Sequence, residues 1–119
     1  MCSILIVDDD KIMRDMLAAQ LQQAEFSTVT AGSTDEALVM LKEGDFAAIV
    51  TDLQMPGRDG IELLELVRQE GRDVPVILMT ALASEGMARR ARESGAYAFL
   101  AKPFSFGELL KTVRQATST

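Results

Sequence analysis

The chain has 119 residues, 48% hydrophobic and 25% charged, which fits one globular domain and excludes a disordered or collagen-like chain. Its net charge of −6 argues against DNA binding driven by phosphate neutralisation. It contains no histidine, which excludes any imidazole base, metal ligand or phospho-carrier supplied by the chain itself.

Five short apolar runs alternate with five segments of helical spacing. Ile4–Val7 is the first strand, and residues 10–24 then place Met13, Leu17, Leu21 and Ala24 on one stripe. Ser27–Ala31 is the second strand. Residues 34–43 bring Ala37, Leu38 and Leu41 together, and Ser33 with Glu36 fits a capping box at their start. Ala47–Val50 is the third strand, followed by a helix over 59–70 with Ile61, Leu64 and Val67 aligned. Pro75 precedes the fourth strand, Val76–Met79. Residues 84–94 form the weakest helix, with Met87, Ala88 and Ala91 as its apolar content beside Arg89, Arg90 and Arg92, and loose packing is expected there. Tyr97–Leu100 is the fifth strand, closed by Lys102–Pro103. Residues 105–116 align Phe106, Leu109, Leu110, Val113 and Ala116. Gly44, Gly71 and Gly95 stand where helices end. Three of the runs are continuously apolar, as in strands covered on both faces. The alternation implies a single α/β domain over 1–119, with a parallel sheet and helices on both sides.

The remaining residues narrow the setting. The longest apolar run, Ala96–Ala101, has six residues, against the ~18 to 20 that a membrane span needs. Met1 to Asp8 lacks the features of a signal peptide. The single cysteine, Cys2, cannot form an internal disulfide and reads as a bystander. An intracellular, cytoplasmic protein with no membrane association is the expectation. The tail Ala116-Thr117-Ser118-Thr119 suits a terminus or the start of a linker.

Ligands of open parallel sheets bind beyond the carboxyl ends of the strands. There the first strand ends in Asp8-Asp9-Asp10, the third in Thr51-Asp52, the fourth in Thr80-Ala81 and the fifth in Lys102-Pro103. Clustered carboxylates repel one another, and a hard cation such as Mg²⁺ relieves that repulsion while keeping positions open for phosphoryl oxygens. Lys102 offers a positive charge and Thr80 a hydroxyl donor. The edge therefore suits a phosphoryl group on a carboxylate, with Asp52 as nucleophile if the strand order is 2-1-3-4-5. Taken singly, an aspartate at a strand end is ordinarily a helix cap, and Asp10 is read so. Met13, Met40, Met55, Met79 and Met87 read as core fillers. The Arg89-Arg90-Arg92 cluster reads as a solvated face first and a partner surface second.

These residues resemble the receiver domains of bacterial two-component response regulators over essentially the whole chain. The resemblance rests on Ile4-Leu5-Ile6-Val7-Asp8-Asp9-Asp10, on Val50-Thr51-Asp52-Leu53-Gln54-Met55-Pro56-Gly57-Arg58-Asp59-Gly60, on Met79-Thr80-Ala81, and on Gly95-Ala96 leading to Phe99-Leu100-Ala101-Lys102-Pro103-Phe104. It brings with it a flavodoxin-like, doubly wound five-stranded sheet of order 2-1-3-4-5 with five helices. That order comes with the resemblance alone, being exemplified by the family's chemotaxis member, and spacing along the chain does not specify it. The resemblance implies Asp52 as phosphoacceptor. It also implies Asp8 and Asp9 as the acidic pair for Mg²⁺ (Mn²⁺ being a possible substitute), with Asp9 and Asp52 ligating directly and the Gln54 backbone carbonyl completing the set. Thr80 becomes the switch hydroxyl, Lys102 its counter-ion with a cis bond to Pro103, and Phe99 the switch aromatic. Phe99 lacks the hydroxyl of the commoner tyrosine. Gln54 and Leu82 occupy positions that tune dephosphorylation in the family.

The implied partners are a histidine kinase or histidine phosphotransfer protein and a downstream effector, without direct nucleic-acid binding, the chain being a monomer or a phosphorylation-dependent dimer. The chain would catalyse its own phosphorylation and dephosphorylation, yet act chiefly as a signalling switch. Residues 1–84 hold 15 acidic and 6 basic residues, a net of −9, whereas residues 85–119 hold 3 and 6, a net of +3. The basic portion, with Arg89, Arg90, Arg92, Lys111 and Arg114, would suit an acidic partner surface. Three alternatives stand beside this reading. A haloacid dehalogenase-type phosphatase would need a late acidic cluster, yet no aspartate follows Asp73. A flavodoxin-like cofactor binder would need a phosphate loop where Asp8-Asp9-Asp10 stands. The third is a receiver-like scaffold that is never phosphorylated.

Overall fold

A computed structural model describes residues 3–118; Met1, Cys2 and Thr119, and the sequence readings that fall on them, lie outside the described residues. Strands and helices alternate as β1 (Ser3–Val7), α1 (Lys11–Gln23), β2 (Ser27–Ala31), α2 (Thr34–Glu43), β3 (Ala48–Asp52), α3 (Gly60–Gln69), β4 (Val76–Thr80), α4 (Glu85–Glu93), β5 (Ala98–Ala101) and α5 (Phe106–Thr117). The five strands form one parallel sheet of order β2-β1-β3-β4-β5, as the resemblance implied.

The continuous apolar strands are explained by two cores, one on each face. Successive side chains of a strand point to opposite faces. Ile4, Ile6, Ala48, Val50, Ile77 and Met79 pack against α1 and α5 through Leu17, Leu21, Leu109 and Val113. Leu5, Val7, Ile49, Val76 and Leu78 pack against α2, α3 and α4 through Ala37, Leu41, Ile61, Leu64, Val67 and Ala91. In α4 only Ala91 is fully buried, so this helix has the smallest apolar anchor of the five. Arg68 holds its far end, donating from Nη2 to the Gly95 carbonyl at 2.9 Å.

Local signals are met with two departures. Ser33 accepts from the Glu36 N–H, but the Glu36 carboxylate accepts from the Gly32 N–H at 3.1 Å, so the expected capping box is half-formed. Gly32 lies just past the end of β2 and its amide has no ladder partner, which draws the carboxylate there. The reciprocal box is made instead by Asp59 and Glu62 at the start of α3. At the end of α1 the left-handed position falls on Glu25, with φ 74° and no glycine to mark it. Gly71 and Gly95 take that conformation after α3 and α4, whereas Gly44 is extended.

Strands β3 and β4 run past their apolar runs. Their ladders continue through Val7↔Thr51, Asp52↔Met79 and Thr80↔Ala101. Asp52 and Thr80 are thus the last residues of strands rather than loop residues. Backbone pairing fixes where their side chains start.

Candidate functional site

Asp8 follows β1, and its side chain is buried. One oxygen, Oδ1, accepts from the Asp10 N–H at 2.9 Å. The other, Oδ2, is buried without a hydrogen-bond partner. Lys102 Nζ lies 3.6 Å from Asp8 Oδ2 and 3.7 Å from Asp52 Oδ1, so one ammonium is shared between two carboxylates at ion-pair range. Asp9 is exposed beside them. Oxygens of Asp8, Asp9 and Asp52 lie within 4.8 Å of one another. Asp10 instead caps α1, accepting from the N–H groups of Ile12 and Met13.

Asp52 is only 8% exposed. Burial raises its carboxyl pKa above the ordinary aspartate value; Lys102 opposes this, Asp8 and Asp9 add to the rise, and the Gln54 backbone N–H opposes it by hydrogen bonding. One lysine therefore does not neutralise three acids. A buried carboxylate oxygen with no donor, beside two further hard oxygen donors, fits a hard divalent cation such as Mg²⁺.

The backbone around this cluster is tightly determined. Lys102 extends the β5 ladder by donating its N–H to the Thr80 carbonyl at 2.7 Å, and its bond to Pro103 is cis. Gly60 starts α3 directly against β3. A Cβ there would stand 2.5 Å from the Asp52 carbonyl oxygen, a contact real Cβ atoms do not make. Thr34 is buried and its hydroxyl donates to the Arg58 carbonyl at 3.0 Å, tying the β3–α3 loop to α2.

The structure thus brings Asp8, Asp9, Asp52 and Lys102 together. Thr80 and Gln54 form a neighbouring pair. Thr80 is completely buried, and its hydroxyl donates to Gln54 Oε1 at 2.7 Å and accepts from the Leu82 N–H at 3.0 Å. Phe99 stands apart from the acids. It is half-buried in β5 and lines a small cavity with Ala88 and Ala91 of α4. Sequence reasoning assigned Gln54 a backbone carbonyl ligand and a tuning position, but not its side-chain bond to Thr80. No local signal marks that bond, which follows from the register: Asp52 pairs with Met79, so the second residue after Asp52 emerges beside the end of β4.

Comparison with known proteins agrees with this geometry. Residues 4–114 match the family model of the response regulator receiver domain. The C4-dicarboxylate transport transcriptional regulatory protein DctD of Rhizobium meliloti is 38% identical over 115 residues, covering 96% of this chain and 25% of that protein. The phosphate regulon transcriptional regulatory protein PhoB of Klebsiella pneumoniae is 34% identical over 113 residues, covering 93% of this chain and 49% of that protein. The chain therefore spans between a quarter and a half of the length of these relatives. Among solved structures, the receiver domain of the Francisella response regulator 1452 superposes with a TM-score of 0.94 at 32% identity, covering 98% of this chain and 97% of that one. No helix among the described residues is long and apolar enough to cross a membrane. Sheet order, strand-end chemistry and these similarities converge, and the chain belongs to the response regulator receiver domain family.

Proposed function

We propose that this chain is a phosphorylation switch in a two-component pathway, with Asp52 as the phosphoacceptor. The observation that carries this reading is the shared lysine. Lys102 faces Asp52 and Asp8 together, in a cluster with one buried carboxylate oxygen left without a donor. A carboxylate so placed is a nucleophile whose developing phosphoryl charge already has a counter-ion. Asp8, Asp9, Asp52 and the Gln54 backbone carbonyl would hold Mg²⁺ or, in its place, Mn²⁺. The bound cation would supply charge neutralisation for the phosphoryl oxygens.

The donor is a phosphohistidine on a histidine kinase or phosphotransfer protein, since this chain has no histidine. An Asp52 carboxylate oxygen forms a bond to phosphorus as the bond to the donor imidazole nitrogen breaks, and the nitrogen keeps the electron pair. Lys102 stabilises the transferred charge. An apolar cleft between α1 and the β5–α5 loop, lined by Met13, Met16, Phe104 and Phe106, shares Lys102 with the pocket and offers the donor a seat. The acyl phosphate on Asp52 draws the Thr80 hydroxyl toward it, and Phe99 repacks beside α4. The surface of α4, β5 and α5 then shifts between two states that an effector reads. The effector is a further domain or a separate protein of a bacterial cytoplasm, and exchange between monomer and dimer is one form the readout takes.

Incubation with phosphoramidate and Mg²⁺, followed by mass spectrometry, tests the reading. One added phosphoryl group is expected in the parent chain and none in Asp52→Asn or in EDTA. Equal labelling of Asp52→Asn would remove that residue from the role.

A further inference from the structure

Gln54 makes a contact that the acidic pocket itself does not require. A threonine hydroxyl has one proton to give, and here it goes to Gln54 Oε1 at 2.7 Å, in the preferred range for such a bond. Thr80 is fully buried, so no exposed route offers that proton elsewhere. We propose that the Gln54 carboxamide is a latch on the switch, holding the Thr80 hydroxyl away from Asp52 until a phosphoryl oxygen displaces it. This inference rests on the phosphorylation reading above.

Three features support a latch over a static structural bond. Gln54 is two residues from Asp52, just past the end of β3, and its side chain holds the hydroxyl at the end of the adjacent strand β4, so one short segment carries both the acceptor and the hold on the switch. Its side chain is half-buried and borders a cavity of about 480 Å³, lined with Leu53, Met55, Met87 and Arg90, which gives a released carboxamide somewhere to go. The same hydroxyl accepts from the Leu82 N–H at 3.0 Å, in the loop that leads into α4. Turning Thr80 toward Asp52 therefore disturbs the start of α4, the helix with a single fully buried residue. Met87 of α4 lines the same cavity, so the helix has space to move in the same event. The opposite end stays held by Arg68 on the Gly95 carbonyl, which confines the shift to the N-terminal turn.

The test uses beryllofluoride with saturating Mg²⁺ as a phosphoryl mimic, titrated into the chain while the Leu82 amide resonance is followed by NMR. Gln54→Leu removes the acceptor at similar volume. Gln54→Asn shortens the reach and serves if the leucine variant fails to fold. Either is expected to lower the beryllofluoride midpoint about three- to tenfold, the worth of one net hydrogen bond. Either should also move the Leu82 resonance of the free protein toward its saturated position. In a Thr80→Ala background the Gln54 effect should vanish, because the two groups act as one unit. An unchanged midpoint in Gln54→Leu and Gln54→Asn, with the parent chain binding normally, overturns the latch alone. The same effect persisting in Thr80→Ala also overturns it, because Gln54 then acts by another route. A parent chain that does not bind beryllofluoride overturns the latch and the phosphorylation reading together.

Discussion

Replacing Asp52 by asparagine should stabilise the folded domain at neutral pH in the absence of divalent cations. Two unit charges at 4.8 Å, the outer limit for these carboxylate oxygens, repel by roughly 3.5 kcal/mol at an effective dielectric constant of about 20. Asp52 meets two such neighbours, although Asp9 is exposed and its share is screened by water. Lys102 at 3.7 Å returns roughly 4.5 kcal/mol on the same scale, but it is shared with Asp8. Burial adds a further penalty to the charged form. Burial and the two acidic neighbours together outweigh the shared lysine, so ionised Asp52 is unfavourable, and asparagine removes that penalty while keeping the shape. For a domain of this length that raises the melting temperature by about 3–6 °C per kcal/mol. The pH dependence has a definite sign. The folded-state pKa of Asp52 lies above its unfolded value, so the neutral form's advantage is fully present below the unfolded pKa and is lost as pH rises through the folded pKa. The gain from Asp52→Asn should therefore shrink as pH falls through that raised pKa, where the parent residue is itself protonated. Calorimetric melts in EDTA between neutral and acidic pH provide the assay. A lower melting temperature for Asp52→Asn at pH 7 would refute the reasoning.

Two further predictions concern the frame that holds the site. Gly60→Ala should cost about 1–3 kcal/mol in denaturant unfolding, because its new methyl meets the Asp52 carbonyl oxygen at 2.5 Å and the backbone must yield; full stability would mean that α3 can slide off β3. Glu25→Gly should stabilise by about 0.5–1 kcal/mol, since glycine relieves the left-handed conformation at φ 74° and gives back part of that in unfolded-state entropy. A loss of stability there would show that the Glu25 side chain contributes more than its backbone strain costs.

The ten elements were legible because their signals are local. A strand buried on both faces must be apolar at every position, as Ile4–Val7 and Val76–Met79 are, and a helix must repeat its apolar residues every three or four. The same logic exposed the weak α4, whose one fully buried residue is Ala91. Strand ends were less legible. Hydropathy stops at Val50, but the hydrogen-bonded ladder continues through Thr51 and Asp52, because β1 and β4 on either side keep offering partners. The turn at Glu25 carried no glycine to announce it, and the Glu36 carboxylate found the Gly32 amide because β2 had ended one residue earlier.

By itself the sequence determined which segments are strands, which are helices, and that acids, a threonine and a lysine sit at the strand ends. Family resemblance added the strand order. Only the tertiary structure decided that Lys102 is shared between Asp8 and Asp52, that one oxygen of Asp8 is buried without a donor, and that Gln54 binds Thr80. The physical reason is the difference between period and register. Periodicity tells which face of a segment is buried and can be read within a dozen residues. The Thr80–Gln54 bond joins residues 26 apart, and its length depends on how β3 and β4 are aligned in the sheet.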